Sequence, residues 1–340
     1  MNMLRLESGG GRRLTYMRLS VTDRCNMRCR YCMPPDGVEK LGHDDILSFE
    51  EMLRLARIGA SLGLRKLRLT GGEPLVRKGL NGFIRNLNAE KIFQVLRMTT
   101  NGVLLAPQAR DLKSAGLSGL NISLDALDPK VFAEMAGLPG AEGEKLAARA
   151  WDGFKAAVDA GFDTKINCVP IRGVNENQLI DMARLVYRYP VDVRFIEHMP
   201  IGSKGLWSRE RFLSSPELLE RLKHELGPLE LMPDQDPSSP ARLYAVKGAL
   251  GAIGFISPVS GHFCRDCNRI RLTADGKLKP CLLTEKEIDV KTPLRAGAGD
   301  EEIKNIFIAA AGLKPTDYGL AASEGLSGGG EGREMVGIGG

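Results

Sequence analysis

Six short runs rich in β-branched and other apolar residues recur along the N-terminal part of the chain, and amphipathic stretches such as FEEMLRLARIGASLG separate them. The runs are residues 16–23, 66–72, 92–100, 120–126, 162–170 and 191–199. Strands that alternate with helices are typical of a parallel sheet whose crossover connections are helical. The pattern therefore predicts an α/β fold, and six units suit either a partial barrel or an open doubly wound sheet.

Polar and glycine residues concentrate where these predicted strands end. The positions are Asp23 to Cys32, Gly71 to Pro74, Thr99 to Gly102, Ser123 with Asp125, and Glu197 with Met199. In both candidate architectures the carboxyl ends of the strands carry the chemistry. The distribution therefore predicts an enzyme with its site at this edge.

Composition and charge limit the partners and the location that we expect for the protein. The 340 residues are 43% hydrophobic and 26% charged, and a net charge of +5 suits an anionic substrate but is too small to indicate nucleic acid. No stretch is apolar enough to span a bilayer, and the N-terminal segment lacks the apolar core of a signal peptide. We expect a cytoplasmic protein with neither a membrane nor a nucleic-acid partner.

Six of the seven cysteines form two triads. The first is Cys25, Cys29 and Cys32, and the second is Cys264, Cys267 and Cys281. Disulfides rarely persist in the cytoplasm, so the triads indicate metal or cluster ligation, whereas the isolated Cys168 is expected to pack in a core.

Spacing alone leaves zinc open at both triads. A distant His43 or His198 could complete a zinc site at the first, and His262 could do so at the second. Three cysteines around a four-iron cluster would instead leave one iron free to bind a small ligand.

The segment CNMRCRYC resembles the signature of radical S-adenosylmethionine (SAM) enzymes, and TGGEP resembles the glycine-rich element of the same enzymes. This resemblance implies a partial (β/α)6 TIM-like barrel and a [4Fe–4S] cluster held by the first triad. It also implies that the cluster's open iron binds SAM, which is cleaved to a 5′-deoxyadenosyl radical. The SAM contacts that it implies are Tyr31, Gly72, Glu73, Ser123 and Met199.

The second triad and the terminal Gly-Gly resemble the GTP 3′,8-cyclase family of molybdenum cofactor biosynthesis. The resemblance covers nearly the whole chain and includes RLTGGEP, TTNG, NISLDA, VRFIEHMPIG and NRIRLTADGKLKPCL. It implies a second [4Fe–4S] cluster whose open iron binds the guanine of GTP, and a homodimer. The implied reaction removes the C3′ hydrogen of GTP, joins C3′ to C8, and yields (8S)-3′,8-cyclo-7,8-dihydroguanosine 5′-triphosphate. We also expect flavodoxin or ferredoxin as electron donor and cyclic pyranopterin monophosphate synthase as the next enzyme.

A triphosphate needs cations. Arg269 and Arg271 alternate in NRIRL, so on a strand both point to one face beside the second triad. Arg18 and Arg68 lie inside predicted strands, where an unpaired charge is costly unless a ligand compensates for it. An isolated arginine would more simply be a solvated surface charge. The GTP contacts implied by the resemblance are Arg18, Arg68, Thr99, Lys165, Arg269, Ile270 and Arg271.

The chain divides into three predicted segments. Residues 1–231 form the barrel, residues 232–322 close it and carry the second cluster, and residues 323–340 form a Gly-rich tail. The resemblance implies that Gly339 and Gly340 reach the active site, and we assign both catalytic roles together with Arg271. A frayed terminus and a sulfur-carrier-like tail are the alternatives.

Two other functions fit part of the pattern. A radical SAM enzyme acting on another substrate, such as a peptide, would share the first triad but need no cations for triphosphate. A zinc protein that binds RNA would need a basic surface interleaved with aromatic residues. Aromatic residues are 6% of the chain and are not interleaved with its basic residues.

Overall fold

The protein is described by a computed structural model that covers residues 5–201, 207–233, 239–317 and 333–339. These ranges contain one 12-stranded sheet in the order β12-β11-β10-β1-β2-β3-β4-β5-β6-β9-β8-β7. The strands are β1 Tyr16–Ser20, β2 Lys66–Thr70, β3 Val95–Thr100, β4 Gly119–Ser123, β5 Asp163–Cys168, β6 Asp192–Ile196, β7 Leu229–Leu231, β8 Ala241–Val246, β9 Ala252–Ile256, β10 Arg269–Leu272, β11 Lys277–Lys279 and β12 Ile288–Asp289.

The α-helices fill the connections between these strands. They are α1 Phe49–Ser61, α2 Leu80–Ala89, α3 Ala109–Ser114, α4 Pro129–Met135, α5 Ala141–Asp159, α6 Leu179–Arg184, α7 Ser215–Leu226, α8 Lys291–Arg295, α9 Asp300–Gly312 and the C-terminal turn α10 Met335–Ile338. Short 3-10 helices occupy His43–Asp45, Pro74–Val76, Ala106–Gln108, Glu176–Gln178, Leu185–Tyr187 and Cys264–Asp266.

All six strands expected from the sequence are confirmed, and the sheet resolves which architecture they form. β1 to β6 follow one another in chain order and every neighbouring pair is parallel. A doubly wound sheet would reverse its strand order near the middle. The unreversed order is that of a partial (β/α)6 barrel. Most of the predicted runs extend beyond the strands because their last residues already turn into the polar loops.

Side-chain alternation separates the two faces of this sheet. In β1, Met17 and Leu19 are fully buried in the hydrophobic core, whereas Tyr16 and Arg18 face the inside of the half-barrel. The core also receives the apolar faces of the helices, including Met52 and Leu55 of α1. The interior-facing positions of β1 are therefore occupied by polar and charged side chains.

The C-terminal part of the chain supplies one further parallel strand to each edge of the six-stranded unit. β9 pairs with β6, and β10 pairs with β1. The connection from Ile256 to Arg269 therefore runs from one edge of the half-barrel to the other. Twelve residues of extended chain reach about 40 Å, which is enough for this crossing. Strands on both sides of residue 231 share one sheet, and the predicted domain limits stay predictions.

Glu197, directly after β6, fixes this crossing segment. Its buried carboxylate accepts hydrogen bonds from the backbone N–H groups of Ser215, Val259 and Ser260, at 2.8–2.9 Å, and from the Ser260 hydroxyl. A carboxylate with this many donors is well compensated for its burial. The end of β6 is thereby joined to the start of α7 and to the loop that leads to Cys264.

Two further expectations concern the isolated cysteine and membrane-spanning segments. Cys168 is fully buried in the core, as the sequence predicted. None of the helices in the described ranges combines the length and apolarity that crossing a membrane requires.

Close packing of α5 on the loop after β3 can be tested with a pair of helical glycines. A methyl group on Gly153 would overlap the carbonyl of Gly102, whereas one on Gly82 of α2 would meet no atom within 4 Å. We expect Gly153→Ala to destabilise the protein by about 1–3 kcal/mol through overpacking. We expect Gly82→Ala to stabilise it by about 0.5–1 kcal/mol through helix propensity. Urea unfolding of both variants measures this, and equal effects would contradict the packing.

Candidate active site

One cavity of about 340 Å³ lies at the carboxyl ends of the parallel strands, a volume typical of small-molecule sites. Both cysteine triads line it, although their members are more than two hundred residues apart in the sequence. Among the predicted SAM residues, Tyr31, Gly72, Glu73, Ser123 and Met199 all line the same cavity.

The loop that carries the first triad follows β1 and is fastened to the end of α4. The backbone N–H groups of Arg28 and Arg30 donate to the carbonyls of Ala136 and Met135 at 2.9 and 3.0 Å. Gly137, with φ of 67°, lies so close to the Arg28 carbonyl that a Cβ there would overlap it. Main-chain contacts therefore hold the loop, and the backbone of the loop sets the positions of its three thiols.

Tyr31, in the same loop, is held by a hydrogen bond to Asp125. Its hydroxyl donates to Asp125 Oδ2 at 2.9 Å, and Asp125 Oδ1 accepts from the Val169 N–H at 2.8 Å. Burial raises the pKa of Asp125 to about 6, although the hydrogen bonds from Val169 and Tyr31 oppose that shift.

The TGGEP segment runs beside the first-triad loop. Gly72 N–H donates to Thr22 O and Glu73 N–H donates to Arg24 O, both at 2.8 Å. A Cβ on Gly72 would overlap the Arg24 carbonyl, so glycine is needed for this approach. The two segments therefore present their polar atoms to one place.

Glu73 carries a buried carboxylate and lines the cavity. It accepts from Thr100 Oγ1 at 2.8 Å and from the Asn101 and Leu75 N–H groups at 2.7 and 3.0 Å. Burial raises the pKa of Glu73 to about 7 despite these bonds.

The second triad sits in a cationic environment. Burial alone would raise the pKa of Cys267, but the charges of Arg269 and Lys314 and hydrogen bonds from Arg269 lower it to about 6. Cys264, three residues earlier, has its pKa raised to about 11, first by burial and then by the neighbouring thiols. Burial likewise raises the pKa of Cys25 to about 11 and that of Cys32 to about 12 in the first triad.

Within the described ranges, no three potential ligands converge closely enough to hold a single metal ion. In a four-iron cluster each cysteine binds a different iron, so its ligands do not meet at one point. Two loops that each present three thiols to a cavity suit that wider arrangement.

Arginines line the cavity between the two triads. Arg18 and Arg68 are at the level of the strands, and β10 places Arg269 and Arg271 beside β1. The Nε atoms of Arg18 and Arg68 and Nη2 of Arg269 are buried and have no hydrogen-bond partner in the described part of the chain. Thr99, also predicted from the sequence, lines the cavity with its Oγ1 in the same state. Buried donors without partners are costly, so this group fits an anionic ligand.

Two of the predicted GTP residues are placed differently. The Nζ of Lys165 is 3.2 Å from Asp163 Oδ1 and 3.4 Å from Asp192 Oδ2, and Lys165 does not line the cavity. Ile270 is fully buried in the hydrophobic core and does not line the cavity. Their roles toward GTP stay predictions.

The structure brings in Arg194 and Lys314, which sequence reasoning missed, and it places His198, considered from the sequence only as a zinc ligand, in the same cavity. Arg194 of β6 and His198 line the cavity, and Arg194 Nε and both His198 ring nitrogens are buried without partners among the described residues. Arg194 stands in VDVRF with the same alternation as Arg18 in YMRLS, which could have revealed it. Lys314 also lines the cavity. It lies far from either triad in sequence, and no local pattern marks it.

The C-terminal residues enter the same region. Arg333 pairs with Asp275 at 2.7 Å and with Glu287 at 2.8 Å, and Met335 lines the cavity. Gly339, with φ of 82°, packs against Ser20 and Thr70 at the ends of β1 and β2. Gly340 and most of the predicted Gly-rich tail lie outside the described residues.

Comparisons with known proteins agree with this geometry. Residues 19–186 match the radical SAM superfamily, and residues 191–320 match the family described as Molybdenum Cofactor Synthesis C. The chain is similar to the solved structure of Streptococcus suis SuiB, with a TM-score of 0.60 and 13% identity over 91% of this chain and 68% of SuiB. SuiB bound to S-adenosylmethionine gives a TM-score of 0.58 at 14% identity, over 86% of this chain and 68% of that one. At this identity the likeness concerns the fold alone.

The half-barrel, the first triad and the family match together define a radical SAM protein. Similarity to curated relatives identifies the family within this superfamily. The chain is 45% identical to "GTP 3′,8-cyclase" of Pelotomaculum thermopropionicum over 97% of this chain and 98% of that one. It is 44% identical to the protein of the same name from Peptoclostridium acidaminophilum, over 98% of each. The chain belongs to the GTP 3′,8-cyclase family.

The different environments of Cys264 and Cys267 predict different reactivities in cluster-free protein. Because the thiolate is the nucleophile, we expect iodoacetamide to label Cys267 much faster than Cys264 at pH 7. The rate at Cys267 should fall about tenfold per pH unit below a pKa of about 6. Mass spectrometry of peptides labelled between pH 5 and 8 measures both rates. Arg269→Met should raise the pKa of Cys267, and equal labelling of the two thiols would contradict this electrostatic environment.

Proposed function

We propose that this chain is a radical SAM GTP 3′,8-cyclase. It converts GTP to (8S)-3′,8-cyclo-7,8-dihydroguanosine 5′-triphosphate, the first step of molybdenum cofactor biosynthesis. The observation that carries the proposal is one cavity lined by both cysteine triads and by Arg18, Arg68 and Arg269, each of which has one buried nitrogen atom without a partner among the described residues.

The residues divide by position. Cys25, Cys29 and Cys32 would hold one [4Fe–4S] cluster, and Cys264, Cys267 and Cys281 would hold the other. When bound, the first cluster and SAM supply a 5′-deoxyadenosyl radical that takes hydrogen from C3′ of GTP. Glu73 would accept a hydrogen bond from the amino group of SAM, and Tyr31, which donates to Asp125, would contact SAM in the same cavity.

The arginines of the cavity would bind the substrate. Arg18, Arg68 and Arg269 line the space between the triads, where their guanidinium groups would donate to the triphosphate. Arg271 is buried beside Arg18 in the paired strands and would orient the ribose and guanine or donate a proton near the second triad. The protein's own residues would act mainly by positioning the substrate.

Gly339 approaches the reacting region from the C-terminal side. Gly339 lies beside Thr70 at the end of β2, which supports a role for this residue near the reacting groups. The ion pairs of Arg333 hold this segment in place. We therefore retain a catalytic role for the Gly-Gly terminus.

The remaining assignments follow from the family resemblance. They are a homodimer, a flavodoxin or ferredoxin as electron donor, cyclic pyranopterin monophosphate synthase as the next enzyme, and a cytoplasmic location. Residues 232–322 act as the second-cluster region in this proposal.

Turnover with measured iron tests the proposal directly. Protein reconstituted without oxygen should hold about eight irons per chain, as two four-iron clusters require. With dithionite and SAM, 5′-deoxyadenosine should form in step with consumption of GTP. Half that iron, with zinc at the second triad, would remove the guanine-binding site, and 5′-deoxyadenosine that does not depend on GTP would indicate another substrate.

The role of the terminus has a matched pair of variants. In Gly339→Ala the new methyl would lie 2.7 Å from Thr70 Oγ1, and φ of 82° is unfavourable for alanine. Displacing the terminus should lower the rate of GTP consumption at least about tenfold, which corresponds to about 1.4 kcal/mol in the barrier. Gly337→Ala should keep near wild-type turnover, because its methyl would meet no atom within 4 Å. Steady-state rates at equal iron content decide, and equal activity of the two variants would remove Gly339 from the active site.

A further inference from the structure

Lys314 is a buried lysine placed among the residues of the second triad. It follows α9, is 4% exposed and lines the cavity. Its Nζ donates to the backbone carbonyls of Arg269 and Pro280, both at 2.8 Å. Arg269 is two residues from Cys267, and Pro280 directly precedes Cys281. One ammonium group therefore joins the two chain segments that carry these cysteines.

Arg12 completes the connection to the third cysteine. Its guanidinium donates to the carbonyl of Cys264 and, through Nη2, to the carbonyls of Pro315 at 2.5 Å and Lys314 at 3.4 Å. Arg12 is itself positioned by the buried Ser8, whose Oγ accepts from the Arg12 backbone N–H at 3.1 Å and from its Nε at 3.3 Å. All three cysteine segments are thus linked through two cations.

The partners of the buried Lys314 ammonium group are the two backbone carbonyls and the side chain of Cys267. Taking an ammonium group out of water costs several kcal/mol unless a charge or a full set of acceptors compensates. No carboxylate in the described ranges lies within ion-pair distance of Lys314, in contrast to the partly buried Lys165, which has two. Burial lowers the pKa of Lys314, and the charges that Cys267 and Cys281 carry as thiolates oppose this shift.

We propose that Lys314, with Arg12, is a positioning residue of the second cluster site, and that its ammonium charge offsets the negative charge of the loaded cluster. The inference rests on the proposed function, since it requires a four-iron cluster at the second triad. Three thiolates and a [4Fe–4S]²⁺ core sum to one negative charge, and one-electron reduction adds another. A buried positive charge beside the sulfurs favours the reduced state and raises the reduction potential, because net charge and contacts to sulfur set the potential.

Lys314→Met tests the charge while keeping a side chain of similar length. Lys304→Met on α9 is the matched control, because it removes one positive charge from a residue whose ion pair is with Glu301 and not with the cysteines. The experiment uses full-length protein reconstituted without oxygen. It measures iron per chain, the EPR and Mössbauer signals of each cluster, and EPR-monitored redox titrations. GTP and SAM identify the two clusters by the signal that each one perturbs.

We expect Lys314→Met either to lose the second cluster while the first remains or to keep it with a lower potential. A tenfold shift in its reduction equilibrium corresponds to about 59 mV for one electron. Lys314→Arg should restore part of the loss, and Lys304→Met should match wild type. Unchanged occupancy and potential in Lys314→Met would overturn the inference, as would equal loss of both clusters. Wild-type protein with only four irons would instead refute the proposed function itself, which keeps the two failures distinct.

Discussion

The parallel pairing of β10 with β1 is the contact on which the rest of the site depends. It brings a strand from the C-terminal part of the chain against the first strand of the half-barrel, with Arg271 opposite Arg18 and Arg269 opposite Tyr16. Because the first triad follows β1 and the second triad flanks β10, this one register brings both triads to the same opening. A shift by one residue would turn the arginines of β10 toward the hydrophobic core and Ile270 toward the cavity.

The same pairing gathers buried cations, and these oppose folding unless they are compensated. Burial lowers the pKa of Arg18 and of Arg68, and the nearby arginines lower it further. Several cations of the sheet have carboxylate partners, since Arg97 and Lys165 pair with Asp163, and the cavity-lining Arg194 pairs with Asp192. In the cavity the described residues supply fewer partners, and a bound triphosphate would do so. Ligands and clusters that bind only the folded state would therefore add to stability as well as to function.

Much of the fold could be predicted from the sequence, because the patterns that mark strands and helices are local. A strand needs a few β-branched or apolar residues and a helix needs an apolar stripe, and both patterns are present in the six repeating units. The two triads, the GGE element and the cations of NRIRL were also visible, since ligands and glycines have recognisable spacings. The inward orientation of Arg194 could have been found by the same alternation as that of Arg18.

The sequence by itself determined the strand-helix order, the class of ligands at each triad and the family to which the chain belongs. Only the tertiary structure decided that the two triads share one cavity, that Lys165 binds Asp163 and Asp192, and that Ile270 faces the core. It also decided the positions of Lys314 and Arg12, which reach the second triad from distant segments. The physical reason is that these contacts join residues far apart in the chain. Their geometry depends on strand register and on the burial of charge, neither of which local spacing records.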